Sequence, residues 1–92
     1  MMPRVFLPEP LREADGLAPV LDVPGATLGQ VLAAVGQQWP DVGEKILLSP
    51  ERLALGVVVY VGDVDARRRG GLSAQLSPVD EVYVVVPLFV GR

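Results

Sequence analysis

The sequence contains no cysteine and no histidine. Without cysteine, disulfide bonds and thiolate chemistry are excluded, and without histidine the chain lacks the commonest general base and the commonest metal ligand. No nucleophile–base pair can be assembled, so we predict no catalytic residues and no enzymatic activity of its own. Acidic residues at turns usually serve as turn formers, and we predict no metal site. The residues concerned are Asp63, Asp65, Asp80 and Glu81.

Aromatic residues are also few, at 5% of the 92 residues, although half of the chain is hydrophobic. This composition indicates one globular domain with a single core. No apolar run approaches the ~18–20 residues that span a bilayer, and prolines and charge interrupt residues 1–10 before a signal sequence could form. We therefore expect a cytoplasmic protein that does not bind membranes. The net charge of −3 argues against binding to nucleic acid.

Short apolar runs between turn residues predict strands at residues 4–7, 17–23, 53–61 and 81–87. Gly62-Asp63 fits a two-residue hairpin turn, so Val64 and Asp65 are expected to form a short return strand. The continuous Val-rich run at 81–87 favours a central strand that is buried on both faces. Residues 8–16, 41–52 and 67–71 are expected to be irregular, with room for single helical turns at 11–14 and 42–47.

The clearest helix signal lies at residues 27–38. Thr27 is a favoured N-cap residue, and Gln30 three positions later completes a capping box. Hydrophobic residues at i, i+3, i+4 and i+7 form one apolar face, namely Leu28, Val31, Leu32 and Val35. Pro40 stops the helix, and we expect Trp39 to seal an edge of the core.

The element order of strand, strand, helix, strand, short strand, strand predicts an α+β fold. With the first two strands as a hairpin and the last strand in the middle, a mixed sheet of four to five strands is covered by one main helix, which is the β-grasp (ubiquitin-like) arrangement. We assign residues 1–87 to this domain and residues 88–92 to a C-terminal tail. An exposed Val-rich edge strand would allow self-pairing, so a homodimer is one open arrangement.

Five segments carry a family resemblance: RVFLP at residues 4–8, LDVPGATLGQVL at 21–32, VYVGDV at 59–64, GLSAQL at 71–76 and DEV at 80–82. In this order and spacing, over nearly the whole chain, they resemble the MoaD/ThiS family of ubiquitin-like sulfur carriers. That family includes the small subunit of molybdopterin synthase and the thiamine-pathway carrier. The resemblance implies the β-grasp fold and a role in protein–protein interaction.

The resemblance also implies chemistry at the C-terminus. In the family, a tail ending in Gly-Gly enters a partner, and an E1-like adenylating enzyme activates the terminal carboxylate with ATP. Sulfur then replaces the leaving AMP to give a thiocarboxylate. Glycine suits such a tail because it lacks the Cβ that would obstruct a narrow channel. The implied partners are an E1-like enzyme or the large subunit of a synthase; the carrier binds no cofactor, and its partner uses the ATP.

By this resemblance, Gly91 and Arg92 form the carrier tail, preceded by a partner-binding segment of Pro87, Leu88, Phe89 and Val90. Arg92 stands where the family has its last glycine, and a long cationic side chain at the reacting carboxylate should block the usual activation. Three explanations are open. The chain is a degenerate carrier that acts as a non-covalent interaction subunit, or Arg92 is removed, or a dedicated partner accepts it.

Two further segments have alternative interpretations. The run Arg67-Arg68-Arg69 either meets an acidic partner or a phosphate, or is a solvated basic loop. The apolar residues 88–90 either dock into a groove of a partner or pack back onto the sheet of their own domain.

Overall fold

The computed structural model describes residues 2–12, 19–49 and 51–86. The elements are β1 (Arg4–Phe6), α1 (Glu9–Arg12), β2 (Val20–Asp22), α2 (Leu28–Gln38), α3 (Pro40–Ile46), β3 (Leu47–Ser49), β4 (Arg52–Leu53), β5 (Val58–Val61), β6 (Val64–Asp65), two 3-10 helices (Ala66–Arg69 and Gly71–Ser73) and β7 (Glu81–Val85). Among these described helices, none is both long enough and apolar enough to cross a bilayer.

Five strands form one mixed sheet in the order β2-β1-β7-β5-β6. Strand β1 pairs antiparallel with β2 and parallel with β7, while β5 lies antiparallel to both β7 and β6. Strands β3 and β4 form a separate two-stranded sheet. The initial hairpin, the helical crossover and the central last strand confirm the predicted α+β, β-grasp fold.

Helix α2 begins where the capping residues predict. The Thr27 Oγ1 accepts a hydrogen bond from the Gln30 backbone N at 3.2 Å, which satisfies one free N–H of the first turn. The Gln30 Oε1 in return accepts from the backbone N of Ala26 at 2.8 Å, one residue before the cap. The helix ends at Gln38, and Pro40 opens the next helix instead of only stopping this one.

The hydrophobic core lies between α2 and the inner face of the sheet. Its largest fully buried side chains come from the predicted apolar face of α2, from α3, from alternate residues of the central strands and from the residue after β2: Val5, Val23, Leu28, Val31, Leu32, Val35, Val42, Ile46, Val59 and Val82. Trp39 is half-buried and packs against this cluster, as expected for a residue that seals its edge.

The predicted strand at 53–61 is wrong in its first half. Arg52–Leu53 pairs with β3, and the chain then turns at residues 55–56 before β5 begins at Val58. Gly56 adopts φ +82°, which an extended strand does not allow, and Leu55 is 90% exposed. An apolar residue followed by Gly was therefore part of a turn and not of the sheet.

The segments predicted to be irregular are more regular than expected. Residues Pro40–Ile46 form two turns of helix, so the single turn expected at 42–47 was too short, and β3 follows directly. The first helical turn lies at Glu9–Arg12, earlier than the predicted 11–14, of which 13–14 lie outside the described residues. The loop expected at 67–71 is largely taken up by two 3-10 helices that extend beyond it, Ala66–Arg69 and Gly71–Ser73.

Strand β7 is central, as predicted, but it is not buried on both faces. Val82 and Val84 are buried, whereas Glu81 and Tyr83 are half-buried and Val85 is exposed, so burial alternates along the strand. The Val-rich strands β5 and β7 lie inside the sheet, and its edges are β2 and β6. The prediction of an exposed Val-rich edge strand is therefore wrong. The homodimer that this edge was expected to allow stays a prediction.

Candidate functional site

The face of the sheet that α2 does not cover is the candidate site. Side chains alternate between the two faces of a strand, so the residues that flank each buried valine or leucine point outwards. Cross-strand register aligns four of them in one row, because Phe6 lies opposite both Val20 and Tyr83, and Tyr83 lies opposite Tyr60. The uncovered face thus presents a continuous apolar and aromatic row across four strands.

The middle of this row is an aromatic pair. The rings of Phe6 and Tyr83 stack with their centroids 4.5 Å apart and their planes inclined by 15°. Both side chains are half-buried although α2 lies on the other face of the sheet, because each shields the other from water. The pair gives the face a rigid apolar centre.

Val58 and Val85 extend the row towards the C-terminal end of β7, where they lie directly opposite one another. Val85 is 47% exposed and Tyr60, which lies diagonally across from it in the register, is 37% exposed, so these strands present apolar and aromatic surface to solvent. We call this set the open-face patch, and its members are Val20, Phe6, Tyr83, Tyr60, Val58 and Val85.

Polar residues border the open-face patch at the N-terminal end of β1 and β7. Arg4 lies between Asp22 and Glu81 in the sheet register, and its Nε is 3.9 Å from the Asp22 carboxylate. The Tyr83 hydroxyl donates a hydrogen bond to Glu81 Oε1 at 2.8 Å, and this bond raises the pKa of Tyr83 above its ordinary value of 10.0. The hydroxyl thus belongs to the polar border, while the ring of Tyr83 remains an apolar contact surface.

A second border lies at the edge strand β6. Asp65 is opposite Tyr60 in the register and accepts hydrogen bonds from the Arg67 backbone N at 2.9 Å and from Arg67 Nη2 at 2.7 Å. These bonds lower the pKa of Asp65 below 3.8. The two neighbouring arginines follow in the same 3-10 helix, so a basic segment adjoins the Tyr60 end of the patch.

The residues predicted for the tail lie outside the described residues. They are Pro87, Leu88, Phe89, Val90, Gly91 and Arg92. The strand that leads to them is nevertheless described: β7 ends at Val85, a member of the open-face patch, and Val86 packs against the core. The patch and the start of the predicted tail therefore belong to the same strand end.

The sequence predicted the tail but none of the residues of the open-face patch. A signal was present, since apolar or aromatic residues recur at alternate positions 83 and 85 and again at 58 and 60. The run of valines concealed this alternation, because both faces of β5 and β7 use the same residue type. Within residues 2–12, 19–49 and 51–86, no group of three acidic side chains is arranged to hold a metal ion.

No protein-family model matches the chain. The sulfur carrier protein CysO of Mycobacterium tuberculosis (strain ATCC 25618 / H37Rv) is 30% identical over 83 residues, which cover 88% of this chain and 89% of the carrier. A crystal structure of Mycobacterium tuberculosis CysO matches with a TM-score of 0.82 and 28% identity, over 94% of this chain and 99% of that one.

A chain in the crystal structure of the Amycolatopsis orientalis BexX/CysO complex matches with a TM-score of 0.84 and 26% identity, over 97% of this chain and 99% of that one. Fold, length and sequence thus agree with the resemblance seen in the five sequence segments. The chain belongs to the MoaD/ThiS-type superfamily of ubiquitin-like sulfur-carrier proteins.

Proposed function

We propose that the chain is a cytoplasmic carrier that docks its open-face patch onto a protein partner and so delivers residues 87–92 to the active site of that partner. The observation that carries the proposal is the position of Val85, which belongs to the patch and ends the strand leading to the tail. A partner that covers the patch meets the tail at the same edge. No catalytic side chain of the carrier is required.

The proposed partners are an E1-like adenylating enzyme and the large subunit of a synthase. In the first, the terminal carboxylate attacks the α-phosphate of ATP and pyrophosphate leaves; a sulfur donor then displaces AMP to give the thiocarboxylate. The kinship with sulfur carriers supports this chemistry, and the BexX/CysO complex supports a protein partner. Molybdopterin synthesis is one destination for the sulfur, and thiamine and amino-acid synthesis are others.

Arg92 favours a second candidate function. If Arg92 is retained, its side chain lies at the carboxylate that must reach the nucleotide, and we then propose a degenerate carrier that acts as a non-covalent interaction subunit. Both functions use the open-face patch for docking. They differ in whether residues 91–92 are processed and activated.

The docking function is tested with Val85→Asp, which places a charge within the proposed interface, at the end of the open-face patch that leads to the tail. Val85 is exposed, so the variant is expected to fold. Binding to the purified adenylating enzyme encoded in the same genome should weaken at least about tenfold, or about 1.4 kcal/mol, mainly through faster dissociation, because a carboxylate loses its hydration in the contact. Surface plasmon resonance measures both rate constants.

Leu55→Asp is the matched control, since it makes the same kind of change at a residue that is 90% exposed and lies outside the five-stranded sheet. This variant should bind as the unaltered chain does. Equal dissociation rates for Val85→Asp and the unaltered chain would contradict docking through the open-face patch. Equal losses in the two variants would show that added charge alone weakens binding.

A further inference from the structure

The charge of the chain is unevenly distributed. Three of its eight basic residues and one of its eleven acidic residues lie between positions 65 and 69, so this segment carries a net charge of +2 on a chain whose net charge is −3. The other 87 residues contain five basic residues against ten acidic ones. The segment at residues 65–69 is therefore basic within a chain whose other residues are acidic on balance.

The fold holds this basic site in place. Ala66 is buried and fixes the 3-10 helix to the core. The guanidinium of Arg67 makes a two-pronged contact with Asp65, and Arg69 Nη2 donates to the backbone O of Gln75 at 3.2 Å. Two of the three arginines are thus ordered before any partner arrives, which lowers the entropic cost of using them.

Arg68 differs from its neighbours. It is exposed, and within the described residues its side chain makes no hydrogen bond or salt bridge. Arg67 also keeps 76% of its side chain exposed in spite of its contact with Asp65, so its outer N–H groups remain open to solvent. Both arginines can therefore meet a carboxylate without first breaking an internal contact.

The basic site adjoins the docking surface. Asp65 lies opposite Tyr60 in the β5–β6 pairing, and Arg67 is bonded to Asp65, so the Arg67 guanidinium stands at the β6 border of the open-face patch and Arg68 follows it in the chain. At the other border, Arg4 is flanked by the acidic residues Asp22 and Glu81. The two borders of the docking face therefore differ in charge. The border at β6 carries the arginines, and the border at β2 carries both acidic and basic side chains.

We infer that the basic site of Arg67, Arg68 and Arg69 docks a carboxylate-rich segment of the protein partner that covers the open-face patch. This inference rests on the proposed docking function and adds the chemistry and orientation of the partner. The partner must carry acidic side chains beside the apolar surface that covers the open-face patch, on the side that faces β6. Charges at the rim of an interface act chiefly on the rate of encounter and on its salt dependence. The apolar contact acts chiefly on dissociation.

The test compares Arg68→Glu with Arg52→Glu. Both variants reverse one exposed arginine, but Arg52 lies on β4, outside the five-stranded sheet, and so controls for the change in net charge. Association with the adenylating enzyme of the same genome is measured at about 50 mM and about 300 mM NaCl, since the higher salt screens exposed charges. At low salt, Arg68→Glu should slow association about fivefold more than Arg52→Glu does, and high salt should remove most of the difference.

Equal association rates for Arg68→Glu and Arg52→Glu would overturn the inference. The docking function is decided separately, by the dissociation rate of Val85→Asp. A partner that does not bind the unaltered chain would contradict both. Titration with a single-stranded oligonucleotide provides a further readout. Binding that Arg68→Glu abolishes and Arg52→Glu retains would assign the basic site to nucleic acid and overturn the inference as well.

Discussion

At the scale of single residues, Asp65 joins the sheet to the basic site. Its carboxylate caps the 3-10 helix through the Arg67 backbone N and pairs with the Arg67 guanidinium. The side-chain hydrogen bond from Arg67 is the largest cause of its lowered pKa, and the backbone bond is the next. The ionised form of Asp65 is therefore favoured in the folded state over the unfolded state.

Asp65→Asn should lower stability at neutral pH and lose this effect in acid. Because the folded-state pKa lies below the ordinary value of 3.8, the stability contributed by ionised Asp65 is present above pH 3.8 and is lost as pH falls through the folded-state pKa. Asparagine keeps an oxygen that can cap the 3-10 helix, so the substitution removes the charge of Asp65 without removing the cap. Urea midpoints at about pH 7 and about pH 2 measure the difference.

Asp63→Asn is the control for this prediction, since Asp63 is exposed in the adjoining turn and makes no ion pair within the described residues. Its urea midpoint should follow that of the unaltered chain at both pH values. A deficit in Asp65→Asn that persists unchanged in acid would show that its loss of stability does not come from the ion pair.

The sequence predicted local features best, namely those that depend on interactions between residues a few positions apart. The Thr27 cap, the apolar face of α2 and the two-residue turn at Gly62 all follow from interactions within a few residues, and Gly62 has the positive φ, +63°, that such a turn requires. The pairing of Asp65 with Arg67 also spans only two positions, yet it depends on a 3-10 helix that the sequence did not reveal. Its geometry was therefore not predicted.

At the scale of elements, the contact between α2 and α3 depends on two glycines. Gly36 and Gly43 face each other so closely that a Cβ built on Gly43 would lie 2.5 Å from the Gly36 Cα, whereas a Cβ on Gly36 would lie 3.5 Å from the Gly43 Cα. Small residues at both positions let the two backbones approach. Sequence analysis interpreted Pro40 as a stop and did not recognise that it begins a helix, so this contact was not foreseen.

The asymmetry of the glycine contact gives a paired prediction. Gly43→Ala should destabilise the fold by about 1–3 kcal/mol, because its methyl group would overlap backbone that cannot move without separating the helices. Gly36→Ala makes only an ordinary van der Waals contact and adds a better helix former, so its effect should be neutral or stabilising by up to about 1 kcal/mol.

Chemical unfolding followed by circular dichroism measures both changes, and each variant is the control for the other because both add one methyl group to the same contact. Equal losses of stability would contradict the geometry of this contact. A loss of stability in Gly36→Ala but not in Gly43→Ala would show that the methyl group added at Gly36, and not the one at Gly43, overlaps the other helix.

At the scale of the whole molecule, the β-grasp fold was predictable and the docking surface was only partly so. The strand order follows from a hairpin, one long amphipathic helix and a central last strand, each of which left a pattern in the sequence. The open-face patch arises from cross-strand register, which brings together Val20, Phe6, Tyr83 and Tyr60 from distant parts of the chain. No local pattern records such a row, so the tail was predicted as a partner-binding segment but the residues of the sheet face were not.

The carrier function and the non-covalent function make different predictions for the mass of the protein in its native host, isolated without a C-terminal tag. In the proposed carrier function the terminal carboxylate must reach ATP, and we expect the long cationic side chain of Arg92 to oppose this. A processed carrier should therefore lack the mass of one arginine residue, and a fraction of it should carry sulfur in place of one oxygen.

Mass spectrometry of the intact protein distinguishes the two functions, with protein from a host strain that lacks the adenylating enzyme as the control. A sulfur-containing species that is absent from the control would establish the carrier function and overturn the non-covalent one. If the protein keeps Arg92 and contains no added sulfur in either strain, while Val85→Asp still weakens partner binding, the open-face patch docks a partner without carrier chemistry. Docking and activation are thereby tested separately, because the first depends on the folded sheet and the second on the chemistry of residues 91–92.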